Sequence, residues 1–302
     1  MSNFPRREIV EILEITAKES SLFSIFVEGK FDKDFFERYF KLKSLEKIVS
    51  VYEIDTIEVP DSLLVEKKLF LHSQKSRVIA LADEVSRECD KLAHILCVVD
   101  ADCDRELGRL RTIDSLSYTD FTCLEMYGFD ANMLLDVFKF SAGIDGRHFA
   151  GFIDLINDIL PAVFAVRCCN EELGLEATIP SLSTGFEKKG KEKFSPFSAE
   201  KYLSVFVQNN GLRGQLKEIE NLFHDRLVNL CEDIRDKAHG HDAIQLFYIY
   251  LSRLKVLSLT DEEVERVGNR IFLATVDANF LDRHALFAKI LSFPLLTEAL
   301  AD

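Results

Sequence analysis

Near the start of the chain Ile9, Ile12, Leu13 and Ile15 recur at helical spacing among charges, which predicts an amphipathic opening helix over residues 5–20. Residues 22–27 (LFSIFV) form a short continuous apolar run closed by Gly29, the pattern of a strand covered on both faces. Phe31, Phe35, Phe36, Tyr39 and Phe40 then repeat with the period of a helix that carries one aromatic face. Residues 48–59, rich in Val and Ile and ended by Pro60, read as a second strand. A second crossover helix follows at 74–89 through Val78, Ile79, Leu81, Ala82 and Val85, and 95–99 (ILCVV) reads as a third, fully apolar strand. Alternating strands and helices predict an α/β fold with a mostly parallel sheet, right-handed crossovers and helices on both faces.

Beyond residue 130 the pattern turns mainly helical, at about 131–140, 149–166, 199–209, 212–235, 242–257 and 261–270. A stretch of glycines, a proline and clustered lysines at 184–198 interrupts it as a loop. Residues 270–276 suggest a return to the sheet, followed by a helix at 282–291. The expected organisation is an α/β core over 1–130, a helical insertion over 131–238 carrying the Lys-rich loop, and C-terminal helices over 239–302 that return to the core.

Composition narrows the function. The 302 residues carry 37 Lys and Arg against 51 Asp and Glu, a net charge of −14, so the chain as a whole repels phosphate backbones and a basic DNA-coating role is out. No run approaches the roughly 18 consecutive apolar residues of a membrane helix, and the charged N-terminus lacks a signal-peptide core. Seven cysteines with no C-x-x-C pair suggest neither a disulfide framework nor a zinc site, and the natural reading is a cytoplasmic protein. Vicinal Cys168 and Cys169 read as inert core thiols. No G-x-x-x-x-G-K-[ST] occurs, so a nucleotide-driven step needs a partner.

The acids carry the chemistry. Asp100 and Asp102 follow the third strand, and residues two apart on an extended chain point to one side. Glu28 follows the first strand, and ends of neighbouring strands at a topological switch point line the crevice of an open α/β sheet. Carboxylates gathered there need a counter-charge, and oxygen donors select Mg²⁺ or Mn²⁺ over zinc. An EF-hand reading of Asp100, Asp102 and Asp104 fails, because its glycine and glutamate positions hold Arg105 and Arg111. Asp32 stands where a helix cap would, and Lys30 could steady charge on a transferring phosphoryl group. Arg105 and Arg109, close behind the acids, suit flanking phosphates, as do Lys188, Lys189, Lys191 and Lys193 among Phe186, Phe194 and Phe197. His241 beside Asp242 has the arrangement of an oriented base or of a capped helix start.

The runs Phe26-Val27-Glu28-Gly29-Lys30-Phe31-Asp32 and Val98-Val99-Asp100-Ala101-Asp102 resemble the Toprim fold of topoisomerases, primases and OLD-type nucleases. Tyr118-Thr119-Asp120 leading to Leu124-Glu125, and His239-Gly240-His241-Asp242, resemble its defence-associated branch, and the chain length and helical insertion resemble the Toprim effectors of PARIS anti-phage systems. These motifs cover residues 22–132 and 239–250. The resemblance implies a Rossmann-like Toprim core and Mg²⁺- or Mn²⁺-dependent phosphodiester cleavage. Glu28 and Lys30 would be catalytic, Asp100, Asp102, Asp32 and Glu125 would bind metal, and Arg105 and Arg109 would bind substrate. It further implies an ABC-type ATPase partner that sequesters the effector, host tRNA as substrate, a homodimer when active, and arrest of translation. The alternatives are a Toprim nuclease acting on DNA, or a non-catalytic docking module that presents the aromatic face of residues 31–40 to the ATPase. A topoisomerase-like strand transferase would need a nucleophilic tyrosine on a further domain.

Overall fold

The computed structural model describes residues 6–88, 94–141, 147–187, 196–256, 270, 273–274 and 276–301. In chain order its elements begin with β1 (Arg7–Glu8), α1 (Ile9–Lys18), β2 (Phe23–Val27), α2 (Lys30–Leu42), β3 (Val49–Glu53) and β4 (Ile57–Glu58). They continue with α3 (Asp61–Glu66), α4 (Gln74–Arg87), β5 (Ile95–Val99), β6 (Leu116–Tyr118), α5 (Ala131–Asp136) and α6 (Arg147–Glu172). The remainder are α7 (Ala199–Asn209), α8 (Leu216–Asn229), α9 (Gly240–Arg253), α10 (Ala278–Leu281), α11 (Ala285–Leu291) and α12 (Pro294–Ala301). The fold is α/β, and its contacts group Met1–Ala101, Leu110–Asp120 and Val276–Asp302 as one compact unit and Asp102–Arg109 with Phe121–Thr275 as another.

The first unit is built on a four-stranded parallel sheet in the order β3-β2-β5-β6. All five residues of β2 and of β5 are buried, as continuous apolar runs require when helices cover both faces. On one face α1 and α4 contribute Ile9, Ile12, Val78, Ile79, Leu81 and Val85 to a core with Phe26, Cys97 and Val99. Ser73 caps α4 by accepting a hydrogen bond from the Ser76 amide at 3.2 Å. The aromatic stripe of α2 is internal. Phe35, Phe36, Tyr39 and Phe40 are buried, and the Phe287 ring of α11 lies 6.2, 6.0 and 4.8 Å from those of Phe35, Phe36 and Tyr39. The Tyr39 hydroxyl donates to Asp282 and the Lys43 ammonium pairs with the same carboxylate, both at 2.7 Å. The aromatic face is therefore not a docking surface. Truncating Phe287 to alanine is expected to remove about 3–5 kcal/mol of stability, read as a lowered denaturation midpoint.

Strand expectations change in two places. The run 48–59 is not one strand: β3 ends at Glu53, a 3₁₀ turn takes Ile54–Thr56, and β4 pairs in parallel with β1 in a separate two-stranded sheet. The turn buries Ile54, so apolar residues continue although pairing stops. Strand β6 has only Leu116–Tyr118 and is too short for its period to show in the sequence.

The second unit is helical. α6 runs through Pro161, longer than the expected 149–166, and contacts α7, α8 and α9. Among the described residues one stretch, His148–Glu172, is long and apolar enough to cross a membrane, and 56% of its apolar window is buried inside the protein. The expected helix over 212–235 is divided into a 3₁₀ turn at Arg213–Gln215, α8, and a second 3₁₀ turn at Ile234–Asp236. Residues 131–140 begin as α5 and pass into a π turn at Val137–Ser141. Within the Lys-rich loop Phe186 and Phe197 form an antiparallel bridge with ring centroids 5.5 Å apart. Lys188, Lys189, Lys191, Lys193 and Phe194 lie outside the described residues, as do residues 261–269 and much of 270–276.

Candidate functional site

In the first unit the chain leaves β2 for β3 on one side and returns through α4 to β5 on the other, so the winding reverses between β2 and β5. That reversal opens a crevice at the C-terminal ends of the two strands. Glu28 and Asp100 are the residues that follow them, and Glu28 Oε1 accepts a hydrogen bond from the Asp100 amide at 2.9 Å. The acids, 72 positions apart, are thus brought together. On the other side of β5 the Ala101 amide donates to Thr119 Oγ1 at 3.0 Å, while the Thr119 amide donates to the Val99 carbonyl at 3.0 Å. The backbone after β5 is clamped by side chains from both neighbouring strands.

Asp32 is not the cap of α2. The cap is Gly29, and Asp32 sits in the first turn, where Oδ2 accepts from the Gly29 amide at 3.0 Å. This fold-back turns its carboxyl toward the chain leaving β2. Lys30 is exposed and pairs with Asp34 at 3.1 Å, one turn along the helix, and that hydrogen bond raises its pKa above the ordinary lysine value. Its ion pair is local to α2. Asp120 has a structural partner, accepting from the Leu286 amide at the first turn of α11 at 3.1 Å.

In the second unit Asp102 departs from the extended chain the sequence suggested. Its φ is +44°, left-handed, so the period-two argument stops at Ala101. Its amide donates to the Thr122 carbonyl at 2.7 Å, and its Oδ1 lies 3.9 Å from His239 Nε2. The His239 ring stacks on that of His241 at 5.4 Å and 20°. Burial first, and then the Arg167 guanidinium, lower the His239 pKa below the ordinary imidazole value. Asp242 neither caps α9 nor orients His241: it takes a two-pronged ion pair from Arg167, Nε to Oδ2 at 2.6 Å and an amino nitrogen to Oδ1 at 2.8 Å.

Glu125 is buried against the first residue of α9. A Cβ on Gly240 would stand 2.7 Å from the Glu125 carboxyl carbon and 2.8 Å from Cys123 Sγ, so this position accepts only glycine without displacement. Gly240→Ala is expected to cost about 1–3 kcal/mol by forcing Glu125 and Cys123 aside, seen as a lowered melting temperature. Arg105 pairs with Asp236 at 3.0 Å, and Arg109 donates to the Glu171 carbonyl at 3.4 Å. Both guanidiniums thus have partners within the protein. Cys168 and Cys169 are buried; Cys103 hydrogen-bonds to Cys168, which drives the Cys103 thiol pKa up, and burial pushes Cys169 up to about 12. The Cys103 and Cys169 thiols are therefore poor nucleophiles at neutral pH.

The oxygen-donor chemistry of Glu28, Asp32 and Asp100 fits a hard divalent ion. Among the described residues no group of three or more His, Cys, Asp or Glu side chains is gathered into a metal cage. The sequence marks His239 only within the His239-Gly240-His241-Asp242 run and gives it no facing group. It also gave no partner for Asp242, because Arg167 lies 75 positions away. No protein-family model matches the chain. No curated protein matches it either.

Proposed function

We propose that the chain is a metal-dependent phosphodiesterase of the Toprim kind, an effector nuclease of the AriB type. The observation that carries this reading is the hydrogen bond from the Asp100 amide to Glu28 Oε1 at the switch point of a parallel sheet. It sets the Glu28 carboxylate on the backbone of Asp100, at the strand ends where open α/β sheets bind ligands. Glu28 acts beside the reacting phosphate, and Asp100, Asp102, Asp32 and Glu125 are the residues that would hold Mg²⁺ or Mn²⁺. Such an ion supplies Lewis-acid activation and neutralises charge on the phosphate oxygens. The net charge of −14 agrees with a substrate held through cations in preference to a basic surface. Arg105 and Arg109 would reach flanking phosphates only by releasing Asp236 and the Glu171 carbonyl.

By the same resemblance the substrate is host tRNA, the active form is a cytoplasmic homodimer, and an ABC-type ATPase restrains it until infection. The test is incubation of the purified protein with total tRNA and with plasmid DNA, each with Mg²⁺ and with EDTA. Discrete tRNA fragments that require metal and Glu28 support the reading. Nicked plasmid with intact tRNA moves the substrate to DNA, and no cleavage of either by a folded protein overturns it.

A further inference from the structure

Lys75 brings an ammonium to the strand ends of the first unit. It is the second residue of α4, half-buried, and its Nζ donates to the Ala101 carbonyl at 3.3 Å, on the turn whose Asp100 amide holds Glu28. The helix start that carries it is fixed on several sides. Ser73 accepts from the Ser76 amide, the Ser76 hydroxyl accepts from the Phe70 amide, and Gln74 and Arg77 both donate to Asp55, at 3.2, 3.2, 2.7 and 3.1 Å. Gln74 and Arg77 thus face the 3₁₀ turn of Ile54–Thr56, while Lys75 faces the end of β5.

Helix energetics do not account for a lysine here. The first turn of a helix carries the positive end of its dipole and favours acids, yet that of α4 holds no acid and holds Lys75. A residue that breaks a local rule is expected where a site requires it. The requirement is electrostatic: Glu28, Asp32 and Asp100 stand at or beside these strand ends, and a phosphate adds negative charge to theirs. The Lys30 ammonium is engaged along α2 instead, by Asp34. We propose that the Lys75 ammonium contacts the reacting phosphate in this crevice and offsets the charge that builds on its non-bridging oxygens during cleavage. The inference deepens the phosphodiesterase reading and rests on it. Lys75 forms no covalent bond and transfers no proton. An ammonium has three N–H donors, and the bond from one of them to the Ala101 carbonyl aims the head at the turn without cancelling its charge. A charge aimed in advance within a half-buried crevice is screened less than one on the open surface.

Steady-state cleavage by wild type, Lys75→Gln and Lys75→Arg tests this, on whichever of tRNA and plasmid the wild type cuts with Mg²⁺. Lys75→Gln keeps an N–H donor for the Ala101 carbonyl and removes the charge. Its kcat should fall about 10²-fold or more, with KM changed less than about threefold and the melting temperature unshifted. Lys75→Arg restores the charge and should recover at least about tenfold of that loss. Wild-type kcat in Lys75→Gln, a change in KM alone, a Lys75→Gln chain that does not fold, or an arginine variant no faster than the glutamine one overturns the proposal. A wild type that cuts neither substrate overturns the phosphodiesterase reading itself, and this proposal with it.

Discussion

Replacing Arg167 with alanine is expected to destabilise the second unit by about 3–5 kcal/mol, the range for removing one partner of a buried ion pair. The cause is the carboxylate left behind. Asp242 is enclosed on the first turn of α9, and the two hydrogen bonds from Arg167, at 2.6 and 2.8 Å, are what make its burial tolerable. The pair also ties α6 to α9, so its loss loosens the helix start that carries His239 and packs on Glu125. Urea denaturation of Arg167→Ala measures the effect. The double variant Arg167→Met/Asp242→Leu should recover most of it, because two apolar side chains of similar volume leave no charge unmatched. A loss under about 1 kcal/mol in the single variant would mean that solvent screens the pair.

Substituting Glu28 with alanine is expected to reduce metal-dependent cleavage by about 10³-fold while shifting stability by only about 1 kcal/mol. Glu28 accepts the Asp100 amide at the half-buried mouth of the sheet, so its removal leaves that amide within reach of water. Stability melts of wild type and Glu28→Ala, with and without Mg²⁺, accompany the cleavage assay. If the cation were only structural, Mg²⁺ would stabilise the wild type strongly, the variant would lose that gain, and no activity would be lost with it. Near-equal melts with cleavage abolished identify a chemical role, since acids gathered in a crevice repel one another and contribute little to folding.

The α/β class, the buried strands and the helical second half were legible because burial on two faces writes a continuous apolar run and burial on one helix face writes a 3.6-residue period. Phe23–Val27 and Ile95–Val99 are strands close to where the pattern puts them. The run 48–59 misled because Ile54 is buried in a turn and Ile57 in a different sheet, and apolar content alone does not say which strand pairs with which. Asp102 misled because its left-handed backbone breaks the alternation that the sequence argument assumed.

What the sequence by itself determined was local: which segments bury a face, where helices start, and that acids stand at the ends of two apolar strands. Tertiary structure alone decided that β2 and β5 are neighbours, so that Glu28 meets the Asp100 amide. It decided that the α2 aromatics turn inward onto Phe287, that Arg167 answers Asp242, and that His239 faces Asp102. The reason is physical. Periodicity reports how a segment is solvated, whereas pairing between segments tens of residues apart is set by strand order and helix packing, which no local pattern encodes.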